Sequence, residues 1–261
     1  MKLKLIAAAA LLAATGAANA AINNGTSGAG DGDLFFTAWD DQNSYTRDLG
    51  YSISSFEAGV AAVGNFMSVV AADSVFSTFL STASTSGLKW AISAVDSLGA
   101  VRMIETFSAF PSLVDQKANN VTRTAASNVS SFVTDLNGKL TSADSATYAF
   151  GSVGYADVAK YGSTTNTQIG FSRSGSAAND SYASGLGILR INALATGTAK
   201  SIHTSYVDEG YDVRAYLDLD ASSSSYGQLT IAAVPEPETY ALMLAGLGLM
   251  GAIARRRRNQ A

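Results

Sequence analysis

Residues 211–220 read YDVRAYLDLD, and their pattern decides the fold class. Tyr211, Val213, Ala215, Leu217 and Leu219 fall on one side of a period of two; Asp212, Arg214, Tyr216, Asp218 and Asp220 fall on the other. Side chains alternate faces along an extended chain, so this stretch is a strand with one apolar and one wetter face. Leu229, Ile231 and Ala233 repeat the alternation against Gln228 and Thr230. Between the runs stands Ala221-Ser222-Ser223-Ser224-Ser225-Tyr226-Gly227, a turn-rich link, so the two strands read as an antiparallel hairpin.

The same signature recurs toward the N-terminus. Leu34–Trp39 and Ser44–Leu49 flank Asp40-Asp41-Gln42-Asn43, a second hairpin. Leu88, Trp90, Ile92 and Ala94 alternate, and Val101–Phe107 follow the Asp96–Gly99 turn, a third. Thr147–Val153, Gln168–Arg173 and Ile188–Leu194 are further strands. Two stretches keep helical spacing instead. Val121, Ala125, Val129, Phe132, Val133, Leu136 and Leu140 form one stripe, with Asn119 and Asn120 as candidate caps and Gly138 as a stop that leaves Leu140 beyond the helix. Asp73 before Val75, Phe76, Phe79 and Leu80 predicts a shorter, Asp-capped helix. The expected fold is mainly β: an antiparallel two-sheet sandwich, jelly-roll-like, with one or two helices at an edge or end. Residues 21–233 form one β-rich domain, whose only proline, Pro111, falls in a loop after the third hairpin.

Composition limits the functions open to that domain. Charged residues make up 15% of the chain and cysteine is absent, which removes disulfides, thiolate metal sites and cysteine nucleophiles. Residues 21–234 carry 11 Lys+Arg against 19 Asp+Glu, so the body is acidic and repels phosphate backbones; nucleic acid is not an expected partner.

Candidate chemistry in the body is sparse. His203 is the chain's only histidine, so a Ser–His–Asp triad would have to use it, and it lacks a nearby Gly-x-Ser-x-Gly elbow. Glu57, Glu105 and Glu209 are the body's only glutamates, the raw material for a glycosidase carboxylate pair. Asp31 and Asp33, and Asp218 and Asp220, offer clustered oxygens of the kind calcium prefers, but neither stretch completes an EF-hand loop. Solvated turn aspartates are the expected reading, so no cofactor or metal is assigned. Asn24, Asn120, Asn128 and Asn179 head Asn-x-Ser/Thr triplets, the pattern of eukaryotic glycosylation acceptors, to which no role is assigned. Phe35, Phe36, Trp39 and Tyr45 are either a sugar-stacking platform or core.

The termini say more. MKLKLIAAAALLAATGAANA has a basic start at Lys2 and Lys4, an apolar run from Leu5 to Ala14, and Ala18-Asn19-Ala20 as a small-residue cleavage box. Residues 1–20 read as a secretory signal peptide removed by signal peptidase after Ala20. At the other end, Tyr240–Ala254 is 15 residues without a charge. As a helix of about 1.5 Å rise per residue it spans about 22 Å, short of the roughly 30 Å hydrocarbon core. Arg255, Arg256, Arg257 and Arg258 follow it; they extend the reach by snorkelling and hold that end in the cytoplasm. Just upstream, Pro235-Glu236-Pro237 is stiff and extended, a shape suited to a protease.

Residues 234–261, with Pro235-Glu236-Pro237, an apolar helix over about 239–254 and the Arg255–Arg258 stop in that order, resemble the PEP-CTERM sorting signal of Gram-negative bacteria. The resemblance implies recognition by an exosortase, a membrane transpeptidase-like protease, after transient anchoring in the inner membrane. It further implies release to the cell surface or outside the cell, and association with exopolysaccharide or biofilm. On that reading the body is a non-enzymatic surface or matrix protein. The rival readings are a secreted carbohydrate-active hydrolase and a permanently anchored periplasmic protein. A deep cleft with converging carboxylates, or a serine beside His203, favours the hydrolase.

Overall fold

The computed structural model describes residues 21–26, 30–62, 66–84, 87–107, 117–140, 144–156, 175–176, 185–194 and 197–233. The expected signal helix over 1–20, the membrane helix over 239–254, the strand over Gln168–Arg173 and the Pro111 loop lie outside these residues. Among the described residues no helix is long and apolar enough to cross a membrane.

The chain opens with β1 (Asp33–Trp39) and β2 (Asn43–Ser52), then α1 (Ile53–Ala61), β3 (Met67–Val70) and α2 (Ser74–Thr82). The hairpin of β4 (Lys89–Asp96) and β5 (Val101–Phe107) leads to the long α3 (Asn119–Asn137) and β6 (Ser145–Ala149). Short β7 (Gly175–Ser176), then β8 (Leu186–Ala193), β9 (Ile202–Ser205) and β10 (Val207–Asp208) precede β11 (Tyr211–Leu217) and β12 (Leu229–Ala233). The three expected hairpins are present, pairing β1 with β2, β4 with β5, and β11 with β12, all antiparallel.

The strands join in one continuous antiparallel sheet, in the order β3-β12-β11-β8-β5-β4-β1-β2-β6, instead of the two stacked sheets of the expected sandwich. The sheet curls until its ends approach. Near one end, Tyr51 of β2 donates to Ser68 Oγ of β3 at 3.1 Å, and Arg47 of β2 donates to the Ala71 carbonyl at 2.8 Å. A sandwich and a curled sheet need the same alternating sequence; the register between distant strands separates them, and no local pattern encodes it.

Alternation within each strand feeds two cores. Leu34 and Phe36 of β1, Trp90 and Ile92 of β4, and Val213, Ala215 and Leu217 of β11 face the concave side, where α1 and α2 pack. Phe35 of β1, Val95 of β4, Met103 of β5 and Ile191 of β8 face the other side, covered by Ala125, Val129, Phe132 and Leu136 of α3. The central strands are therefore apolar on both faces, and each full burial of such a side chain contributes roughly 1.5–3 kcal/mol.

Among the described residues three helices form, one more than the upper expectation for the body. The stripe helix and the Asp73-capped helix form; Asp73 Oδ1 accepts the Phe76 N–H at 2.7 Å. The added helix, α1, is nine residues long, capped by Ser52 and buried through Ile53, Phe56 and Val60. Neither asparagine caps α3: its N-cap is Ala118, with no side-chain bond, and Asn119 lies inside the first turn. Gly138 does end α3, leaving Leu140 buried just past it. The strand expected over Thr147–Val153 stops at Ala149, because residues 150–154 form a turn, with Gly151 at φ +78°. β11 stops at Leu217, where Asp218 turns the chain by accepting from the Ser223 and Ser225 hydroxyls, each at 2.6 Å, and from the Asp220 N–H.

Candidate functional site

The densest grouping of charge lies where α1 meets β5 and β8. Arg102 stands on β5 between Val101 and Met103, and alternation turns it to the α1 side. Its guanidinium reaches Asp96 Oδ2 at 3.1 Å, Glu57 Oε2 at 3.3 Å and Asp31 Oδ1 at 3.4 Å. Arg190 of β8 approaches Glu57 Oε1 at 3.3 Å, and Tyr206 donates its hydroxyl to the same oxygen at 3.1 Å. Asp31 sits at φ +64°, and its carboxylate also accepts the Ser54 N–H at 2.7 Å. Burial pushes the Asp31 carboxyl up, but hydrogen bonds from Ser52 and Ser54 and the charge of Arg102 outweigh it and hold the group below the usual range. Burial and the adjacent Glu57 raise Tyr206, which keeps its proton. The arrangement is a paired clamp: its carboxylates are occupied by guanidinium and hydroxyl donors, so it offers rigidity instead of a poised acid or base.

The glutamates do not converge. Glu57 belongs to the clamp, whereas Glu105 is fully buried on the opposite face of β5, accepting from Ser93 Oγ at 3.3 Å. Glu209 occupies the tight turn after β10, at φ +51°.

His203 does stand beside a serine. On β9, its Nε2 lies 3.0 Å from Ser201 Oγ. Ser201 is buried, and its hydroxyl hydrogen has a second acceptor, the Lys117 carbonyl at 2.9 Å. Burial lowers the His203 pKa, and the charge of Lys117 lowers it further. Among the described residues the charged group acting on the ring is a cation, where a triad needs a carboxylate.

The candidate calcium aspartates are engaged otherwise. Asp33 Oδ2 accepts the Asn23 N–H at 2.8 Å, Asp31 faces Arg102, and Asp220 Oδ1 accepts from Ser222. Among the described residues no group of three or more His, Cys, Asp or Glu is placed to hold a metal ion. Of the two readings of the aromatics, core is the one that holds: Phe35, Phe36, Trp39 and Tyr45 are at most 3% exposed. Phe35 packs on Phe132 of α3, and Tyr45 lies against Phe76 with ring centres 4.5 Å apart. Sequence reasoning passed over Arg102. The signal was present, a cation inside the apolar run Val101–Phe107, where only paired charge is tolerated.

The terminal candidates, Ala18 and Ala20, Pro235, Glu236 and Pro237, and Arg255–Arg258, lie outside the described residues. What the structure does place is the point where the body hands over to the tail. β12 is laddered on both sides, to β11 and to β3, through to its end, where Ala233 pairs with Val213 and donates to the Phe66 carbonyl at 3.2 Å. No curated protein and no solved structure matches the chain. A family model does match its end: residues 233–258 carry the PEP-CTERM protein-sorting motif, the mark of an exported protein that an exosortase sorts.

Proposed function

We propose that the protein is a non-enzymatic component of the cell surface or extracellular matrix, delivered there by removal of its tail. Residues 1–20 direct export and are cut after Ala20; residues 239–254 hold the chain in the inner membrane, with Arg255–Arg258 inside, until an exosortase cuts near Pro235–Pro237. The observation that carries this reading is the motif match itself, which over residues 233–258 takes in Pro235-Glu236-Pro237, the apolar run and Arg255–Arg258 in that order. Exopolysaccharide is the proposed associate of the released body, through its Ser/Thr-rich surface.

The test is the intact mass of the protein from its host, with and without the exosortase. The expected form begins at Ala21, ends near Pro235–Pro237 and is extracellular only when the protease is present. A form that keeps Arg255–Arg258 in the inner membrane in both strains sinks the reading in favour of a permanent anchor.

One observation favours a hydrolase as the second reading, the 3.0 Å approach of Ser201 to His203. It ranks second because Ser201 is buried and Lys117, not a carboxylate, adjoins the ring. A fluorophosphonate probe that labels Ser201 would promote it.

A further inference from the structure

At the N-terminal end of α3, a groove of about 480 Å³ opens between the β4–β5 turn, the end of β8 and the start of β9. Its walls set apolar side chains beside Arg102, Arg190 and Lys200. Val101 and Ala193 line it, and so do Leu98, Leu194 and Ile202, which are 40%, 65% and 61% exposed. Of the seven large apolar side chains exposed among the described residues, three ring this one concavity.

Asn119, the first residue of α3, also lines the groove. It is only 1% exposed, yet neither its amide nitrogen nor its amide oxygen has a hydrogen-bond partner. An unpaired buried amide loses its hydration without recompense, so a retained one points to a partner that arrives from outside. The partner must offer both an acceptor and a donor, which a peptide group does.

Charge supplies the third constraint. α3 is 19 residues long, has Ala118 as an N-cap without a side-chain bond, and carries no acidic residue in its first turn. Its first N–H groups already have partners, Asn119 N–H the Ala199 carbonyl at 2.8 Å and Val121 N–H the Asn120 Oδ1 at 2.9 Å, so the helix adds only the positive end of its dipole where Asn119 meets the groove. Lys200, also on the groove, is exposed and makes no ion pair among the described residues. On a body with an excess of acidic residues, this is a local seat for an anion.

We propose that the groove binds the carboxy-terminal end of a peptide. The terminal carboxylate lies toward Lys200 and the α3 N-terminus, the last peptide group pairs with the Asn119 amide, and an apolar final side chain sits among Leu98, Leu194 and Ile202. An acidic saccharide shares the carboxylate but fits the walls poorly. The groove's lining holds no aromatic ring, and Asn119 and Asn192 are its only neutral polar side chains. This inference does not depend on how the tail is processed.

The experiment titrates the full chain in detergent with acetyl-Gly-Ala-Leu as the free acid, its C-terminal amide, and an oligogalacturonate, followed by calorimetry. The free acid is expected to bind saturably, and the amide at least about tenfold more weakly, because the charge-assisted contacts go. Lys200→Gln is expected to weaken the free acid by about fivefold or more without moving the unfolding midpoint, since the residue is exposed. Asn119→Leu is expected to abolish binding while holding or raising that midpoint, because the amide it removes has no partner in the chain. Equal binding of acid and amide, indifference to Lys200→Gln, or no saturable binding overturns the proposal. Preference for the oligogalacturonate also overturns it and makes the groove an acidic-sugar site.

Discussion

Tyr45 of β2 donates its hydroxyl hydrogen to Asp73 Oδ2 at 2.7 Å, while Oδ1 of the same carboxylate caps α2 through the Phe76 N–H. One side chain thus fixes a helix start and ties it to a strand near the far end of the sheet. Tyr45→Phe is expected to cost about 1.5–3 kcal/mol, the worth of a hydrogen bond to a charged group. Asp73→Ala is expected to cost more, because it also loses the cap, itself worth about 0.5–2 kcal/mol. Urea denaturation of the two variants checks the order; equal losses would mean that the cap contributes nothing.

Arg102 separates three carboxylates. Replacing it with Met keeps the stem but leaves Asp31, Glu57 and Asp96 without their shared counter-charge. Breaking a buried pair typically costs about 3–5 kcal/mol, and partial exposure of these groups discounts that to roughly 2 kcal/mol. Arg102→Lys keeps the charge and is expected to lose less stability than Arg102→Met. Equal losses for the two variants in thermal unfolding would assign the effect to packing.

Asp48 titrates late. Burial, with Asp33 and Asp144 nearby, raises its pKa from 3.8 to about 6 despite the Gly50 N–H it accepts at 2.8 Å. Between these values the folded chain holds a proton that the unfolded chain has released. Asp48 therefore lowers stability progressively as pH rises through that window, and the loss levels off above it. Asp48→Asn preserves the Gly50 acceptor and removes the charge. It is expected to add on the order of 1–2 kcal/mol at pH 7 and little at pH 4. Paired denaturation curves at the two pH values decide it; a variant that gains nothing at pH 7 contradicts the burial argument.

Phe132 is the α3 side chain that meets Phe35 across the outer core, ring centres 6.4 Å apart. Phe132→Ala is expected to cost about 3–5 kcal/mol, as for other buried aromatics. Because α3 covers one face only, a local loss would free it first. Amide exchange should then accelerate in α3 while β11 and β12 stay protected. Uniform acceleration would show instead that the two cores melt as one.

What could be read from the chain was local. The hairpins at Leu34–Leu49, Leu88–Phe107 and Tyr211–Ala233 were legible because alternation and turn residues lie within a few positions of each other. Single curled sheet or sandwich was not legible, because it depends on β8 pairing with β5 across more than 80 residues. α1 escaped notice because Ser54, Ser55 and Gly59 dilute its apolar face and it follows β2 without a break. The motif at residues 233–258 was legible because its three parts are consecutive. The Arg102 clamp was not, since Asp31 and Glu57 reach it from other elements; only Asp96 is local, facing Arg102 across the β4–β5 hairpin. Asn119 shows the reverse error: read as a cap from its position, it is instead a buried amide without a partner.

The placement of β12 has a mechanical side. Its residues are laddered to β3 on one flank and to β11 on the other, and the chain leaves it at Ala233 toward the tail. Sheet hydrogen bonds run across the strands, so tension along β12 strains both ladders in shear and all their bonds share it together. A pull perpendicular to the strand would break them singly. A body tethered by its C-terminus in flowing water would carry drag through a strand that is gripped from both sides.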